Sequence, residues 1–145
     1  MKENIVSFMM SNSGKEEISK LVLRVAVGIL MLFHGVAKIM HGISPIEGMF
    51  INAGLPGFIA YGLYLGEVIA PMMLIVGFRV KLAALLIIVT MLGAIGLAHS
   101  SDILAITKHG AWAIELQMFY ILTSVAIVLQ GAGKYSLDNK LQTMQ

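Results

Sequence analysis

The chain contains no cysteine. Disulfides, thiol catalysis and cysteine-held clusters within it are therefore excluded. Charge is scarce as well, at 12% of 145 residues, and there are only 3 prolines. Apolar residues make up 58% of the chain, and the mean hydropathy is +0.87. A soluble domain of this length has no interior large enough to hide so much apolar surface. The composition points to an integral membrane protein that forms one compact unit. The pI near 9.0 does not point to nucleic acid, because the basic residues fall in short loops rather than in a patch or stripe. A cleavable signal peptide is not evident. Ile5 to Met10 is too short for an apolar core, and a polar stretch from Ser11 to Lys20 follows it. The first span is expected to act as an uncleaved signal anchor.

What is present is four long apolar runs, from about Ile18 to Met40, Phe58 to Phe78, Leu82 to Ala98 and Ala111 to Leu129. Each has about 17–23 residues, enough to cross the hydrocarbon core. Only helices or closed barrels satisfy their backbone groups in lipid, so an all-α integral membrane four-helix bundle is the expected fold. Ser13 is a candidate cap ahead of Glu16 and Glu17. The expected domains are a cytoplasmic segment over 1–17, the four-helix transmembrane domain over 18–130 and a cytoplasmic tail over 131–145. Lys2, Lys15 and Lys20, then Arg79 and Lys81, then Lys134 and Lys140 flank one end of these spans. The positive-inside rule then puts both termini in the cytoplasm of a bacterial or archaeal cell, with the chain in its inner membrane. Trp112 falls at the outer interface and Tyr135 at the inner one.

The first outer loop is the long one. Ser44-Pro45-Ile46-Glu47 has the form of a capping box with proline at the first helical position. Ile46, Met49, Phe50 and Ala53 share a face, and Gly54 is a stop signal. The pattern predicts a short amphipathic helix on the outer surface of the bundle. Leu55-Pro56-Gly57 turns the chain into the second span.

The scarce ionisable residues gather toward the outer end. Such groups are costly in a bilayer, which makes them functional candidates by default. At about 1.5 Å rise per residue, His34 lies about 9 Å and Lys38 about 3 Å below the outer end of span one, on one face. Glu67 lies about 13 Å into span two. His99 ends span three, and Glu115 sits about a turn into span four. His41 and His109 fall at this end too. Glu67 is the deepest acid, and His34 or Arg24 is its expected partner. Pro71 cannot donate to the carbonyl of Glu67, so a free acceptor and a kink are expected there. Gly62, Gly66 and Ala70 form a small-residue ridge, and Gly93 and Gly96 are expected to let span three pack closely.

Two readings of this constellation stand side by side. In one it is structural glue, with Glu67 bonded to His34 or Arg24 and Glu115 to Lys38 or His99. In the other it is a redox, quinone or proton site that opens outward. A metal is not expected, because no two histidines form a close helical ligand pair. Arg24 reads first as a residue that snorkels to the inner interface or pairs locally, and the 11 methionines read as packing.

The order of short motifs resembles DoxX-like membrane proteins. Leu23-Arg24-Val25, Gly28 and Phe33-His34-Gly35-Val36-Ala37-Lys38 resemble the opening of that family. Gly54-Leu55-Pro56, Tyr64-Leu65-Gly66-Glu67 and Phe78-Arg79 follow in its order. The stretch Gly131-Ala132-Gly133-Lys134-Tyr135-Ser136-Leu137-Asp138 resembles its closing motif. The resemblance covers Leu21 to Asp138. It implies a four-helix inner-membrane protein, with a family name taken from a subunit of a thiosulfate:quinone oxidoreductase and other members acting beside membrane oxidoreductases. It also implies Arg24, His34, Lys38, Glu67, His99 and Glu115 as recurring polar positions. The leading expectation is a membrane subunit or anchor of an oxidoreductase system linked to the quinone pool. Glu67 and His34 would form its proton or quinone site, and Arg24, Lys38, His99 and Glu115 would serve as binding residues. The expected partners are the lipid bilayer, a redox protein and further copies of the chain. A non-enzymatic scaffold and a proton-coupled small-solute transporter are the alternatives; the latter is disfavoured by the short chain and the lack of an inverted repeat.

Overall fold

A computed structural model describes residues 12–145. The stretch from Ile5 to Met10 and most of the expected segment 1–17 lie outside the described residues. Helix α1, Asn12–His41, starts before Ser13. Ser13 is thus inside the helix and is not its cap. The strongly apolar stretch after Lys20 keeps the helix going without a break to Gly42, where φ is +88°.

Helix α2, Ser44–Asn52, is the short helix expected after the first span. The capping box does not form. Ile43 takes the cap position and Ser44 is already helical, so its hydroxyl is not used as a cap. Glu47 instead lies near the Tyr61 hydroxyl. Phe50 is buried, and Ile43 and Ala60 pack with it. Gly54 ends the element at φ +78°, donating its N–H to the Ile51 carbonyl at 2.9 Å.

Helix α3, Gly57–Val76, changes its winding twice. It opens as a 3₁₀ turn over Gly57–Gly62, widens to a π-turn over Leu65–Ile69, and closes as α-helix over Ala70–Val76. Pro71 accounts for the middle change. It has no N–H for the Glu67 carbonyl, and the ladder accommodates this by bonding Ala70 N–H to the Leu65 carbonyl, five residues back. The break expected at Pro71 takes this form.

Helix α4, Val80–Ala98, follows the left-handed Gly77. A turn with a short 3₁₀ segment, Ser100–Asp102, and an isolated antiparallel bridge between Ile106 and Trp112 leads to helix α5, Glu115–Gln130. That bridge consumes the residues from which the fourth span was expected to start. Helix α5 is therefore 16 residues long. Helix α6, Leu137–Thr143, closes the chain.

Among the described residues three helices are long and apolar enough to cross a membrane: α1, α3 and α4. The protein is thus a mostly helical, multi-pass membrane protein. Helix α5 is apolar but shorter, and it packs along α4. Met31 of α1, Leu74 of α3, Ile87 of α4 and Ile127 of α5 meet in one core. The outward surface is equally apolar. Phe33 is 69% exposed and Leu129 80%, as suits a chain whose surroundings are lipid.

Glycine sets the closest helix contacts. A Cβ on Gly35 of α1 would sit 2.1 Å from the Glu67 carbonyl oxygen, the acceptor that Pro71 leaves free. One on Gly66 of α3 would sit 1.8 Å from the Thr90 hydroxyl of α4. Gly93 and Gly96 differ from expectation. No atom lies within 4 Å of where their Cβ would be, so they do not mediate close packing. Gly62 is likewise open, which shortens the expected ridge to Gly66 and the fully buried Ala70.

Candidate functional site

The end of the bundle that carries α2 holds a cavity of about 570 Å³. This falls in the usual range for small-molecule sites. Helix α2 covers it with Ile46, Met49 and Phe50. The openness of Gly62 and Gly93 has its counterpart here, since both line the cavity and contribute no side chain to it. The wall is largely apolar, and its polar groups come from α1, α3, α4 and α5.

Helix α1 supplies His34 and Lys38, one turn apart on the face the sequence gives them. Helix α3 supplies Glu67, which is 3% exposed. Its partner is Lys38, in a salt bridge between Nζ and Oε2. Neither His34 nor Arg24 takes that place. The expectation ranked partners by depth alone; the long lysine side chain spans the difference along the helix axis. His34 stands edge-on to Tyr120 of α5, with ring centroids 5.9 Å apart.

His99 lines the cavity and pairs with Asp102, three residues on, at 3.0 Å. Glu115 bonds with neither His99 nor Lys38. It is exposed in the first turn of α5, where the helix dipole favours a carboxylate, and it does not line the cavity. His41 bonds to the Ala37 carbonyl of its own helix at 2.9 Å, and His109 lies in the turn before α5. Among the described residues no three His, Asp or Glu side chains converge as a metal-ligand set.

Arg24 belongs to the opposite end. It is 1% exposed, so it does not snorkel. Its guanidinium donates to the Leu74 carbonyl at 2.6 Å, to the Ile75 carbonyl at 3.0 Å and to the Tyr135 carbonyl. Two of these belong to the last turn of α3, whose carbonyls lack helical partners. Arg24 thus ties α1 to the end of α3 and to the tail.

Three cavity residues were missed in the sequence. Thr90 is the one hydroxyl in an otherwise uncharged span. Gln117 and Tyr120 follow Glu115 in the fourth. The Gln117 side-chain oxygen is buried and has no hydrogen-bond partner. An orphaned acceptor in an apolar wall marks a place where a ligand donor lowers the free energy. A polar residue inside an apolar run was the available signal, and attention to ionisable groups passed over it.

The DoxX family model matches residues 19–100. That range contains Arg24, His34, Lys38, Glu67 and His99; Gln117, Tyr120 and Glu115 lie beyond it. The chain is also 30% identical over 122 residues to a Bacillus subtilis (strain 168) protein named "Putative oxidoreductase CatD", covering 84% of this chain and 86% of that protein. No solved structure matches the chain. With most of the cavity-forming helices inside the family match and a relative aligned over most of both chains beside it, the chain belongs to the DoxX family of membrane proteins.

Proposed function

We propose that the protein is a membrane subunit of an oxidoreductase system linked to the quinone pool, with the cavity under α2 as its quinone site. The observation that carries this reading is an ion pair between the buried Glu67 and the partly buried Lys38 on the wall of a largely apolar cavity of about 570 Å³. The name of the Bacillus subtilis relative agrees with a redox role. A quinone bound there would exchange two electrons and two protons with its partners. Lys38 offers an N–H donor to a carbonyl oxygen of such a ring, and Glu67 holds a proton acceptor beside it. The Gln117 oxygen is free to accept from a hydroxyl. His34 and Tyr120 flank the space with aromatic edges, and Met31 and Phe50 exclude water. The donor of electrons is a separate redox protein. In this reading α5, helped by the turn before it, completes a fourth crossing, and both termini face the cytoplasm.

Gentle purification from the native membrane tests the reading. A redox protein and quinone should be recovered in stoichiometric amounts with the chain. Glu67→Gln should lower quinone-linked turnover of that complex at least tenfold while the chain stays folded. Unchanged turnover in Glu67→Gln removes the role assigned to the carboxylate. Recovery of the chain alone, without quinone, favours a scaffold. One observation supports that second reading: the Lys38–Glu67 bridge also joins α1 to α3, as structural glue would.

A further inference from the structure

A second depression, of about 890 Å³, lies at the opposite end, between the start of α4 and the tail. Three cations face it: Arg79, Lys81 and Lys134. Two carboxylates line it too, so the groove carries three cations against two anions, and both anions are hydrogen-bonded within the fold. Glu17 pairs with Lys20 and accepts the backbone N–H of Lys134. Asp138 accepts the backbone N–H groups of Arg79 at 2.7 Å and of Val80 at 3.0 Å. Among the described residues none of the three cations forms a salt bridge.

The backbone at Arg79 is held at a cost. Arg79 has φ +44°, the one non-glycine residue with positive φ among those described. A branched-off side chain is disfavoured in that region, and such strain persists only where surroundings impose it. Here the Asp138 carboxylate imposes it by capping the N–H of Arg79. Three cations on one groove, none of them in a salt bridge among the described residues, attract a multivalent anion.

We propose that this groove binds the phosphate headgroup of an anionic phospholipid from the adjoining leaflet. Arg79, Lys81 and Lys134 take the phosphate, while Asn139 and Gln142 of α6 provide hydrogen bonds for headgroup hydroxyls. The lipid source follows from the wall beside the cations. Leu82 lines the groove and is 44% exposed, at the start of a helix long enough to cross the membrane. A free phosphate has no use for that surface, whereas a glycerol backbone and acyl chain cover it. Basic pockets at the ends of transmembrane helices bind anionic headgroups on this principle. The inference is independent of what the cavity at the other end binds.

Native mass spectrometry of the delipidated full chain, titrated with phosphatidylglycerol or phosphatidylcholine, tests it. The wild-type chain should retain phosphatidylglycerol at least tenfold better than phosphatidylcholine. Each cation neutralised in the series R79Q, K81Q and K134Q should weaken retention roughly fivefold. The charge-preserving triple variant R79K/K81R/K134R should keep most of it. K140Q, a change at the same end but outside the groove, should keep it too. Equal retention of the two lipids, or undiminished binding in the neutralised triple variant, overturns the proposal. So does a loss in K140Q as large as in that triple variant, which would assign the effect to diffuse surface charge. Competition by an equal concentration of inorganic phosphate overturns the lipid assignment in favour of a small anion. If the triple variant does not fold, the single variants carry the same comparison.

Discussion

Lys38 and Glu67 illustrate what a buried pair does for a membrane bundle. An ion pair compares poorly with a well-packed apolar pair, yet removing one partner strands a charge. Lys38→Met should therefore destabilise the fold by about 3 kcal/mol, the lower end of the range for such changes, because the Lys38 side chain keeps 24% of its exposure. The double change Lys38→Met with Glu67→Leu should restore stability to near that of the parent. Thermal unfolding in detergent checks both. The double variant also separates the two roles of the pair. Quinone binding lost in a stable double variant assigns the pair to the site, and binding retained there makes it glue. The shared face of His34 and Lys38 was readable from their spacing of four. Their partners were not, because depth along an axis says nothing about which way a neighbouring helix is turned.

At the scale of the element, α3 shows one proline acting on two helices. Pro71 frees the Glu67 carbonyl, the π-turn absorbs the mismatch, and the backbone of Gly35 closes over the freed oxygen. The missing N–H donor at Pro71 was evident from the sequence. The answering glycine was not, since Gly35 lies in another helix and forms no pattern with Pro71. Gly35→Ala should cost about 2 kcal/mol, as overpacking of a tight helix contact does, or force α1 away from α3. Gly48→Ala is the control. Its Cβ meets nothing within 4 Å, so it should leave stability unchanged or raise it by about 0.5 kcal/mol through helix propensity. Equal melting temperatures for the two variants would remove the close-contact role of Gly35. Helix α2 was legible for a different reason: its apolar residues recur at helical spacing within nine residues. Its cap was not, because Pro45 drew the helix start onto Ser44.

At the scale of the molecule, the tail acts as a clasp. Arg24 holds its Tyr135 carbonyl, Glu17 holds the Lys134 N–H, and Asp138 caps the first turn of α4 from 58 residues away. Gly77 lets the tail approach, for a Cβ there would sit 2.7 Å from the Ser136 Cβ. The clasp gives the closing motif a physical reason that sequence resemblance alone did not contain. Asp138→Ala should cost about 1–2 kcal/mol by uncapping α4, and it should speed proteolysis of the tail. Asp138→Asn should fall between wild type and Asp138→Ala, because its single amide oxygen can accept from only one of the two N–H groups that the carboxylate holds. Identical melting and cleavage rates in wild type and Asp138→Ala would show that the clasp contributes nothing.

The sequence by itself determined the class of the protein, its long apolar helices, the short helix after the first of them, and the end of the bundle where His34, Lys38 and Glu67 gather. Hydropathy and helical spacing are local properties, and the bilayer turns them directly into structure. Only the tertiary structure decided that Lys38 rather than His34 or Arg24 pairs with Glu67, that Asp102 rather than Glu115 pairs with His99, and that Arg24 serves the clasp. The His99 pairing is made by the short 3₁₀ turn after α4, whereas the other two choices depend on how each helix is rotated about its own axis. Close contacts such as Gly35 with the Glu67 carbonyl and Gly66 with the Thr90 side chain constrain that rotation, between residues far apart in the chain, where no local period records it.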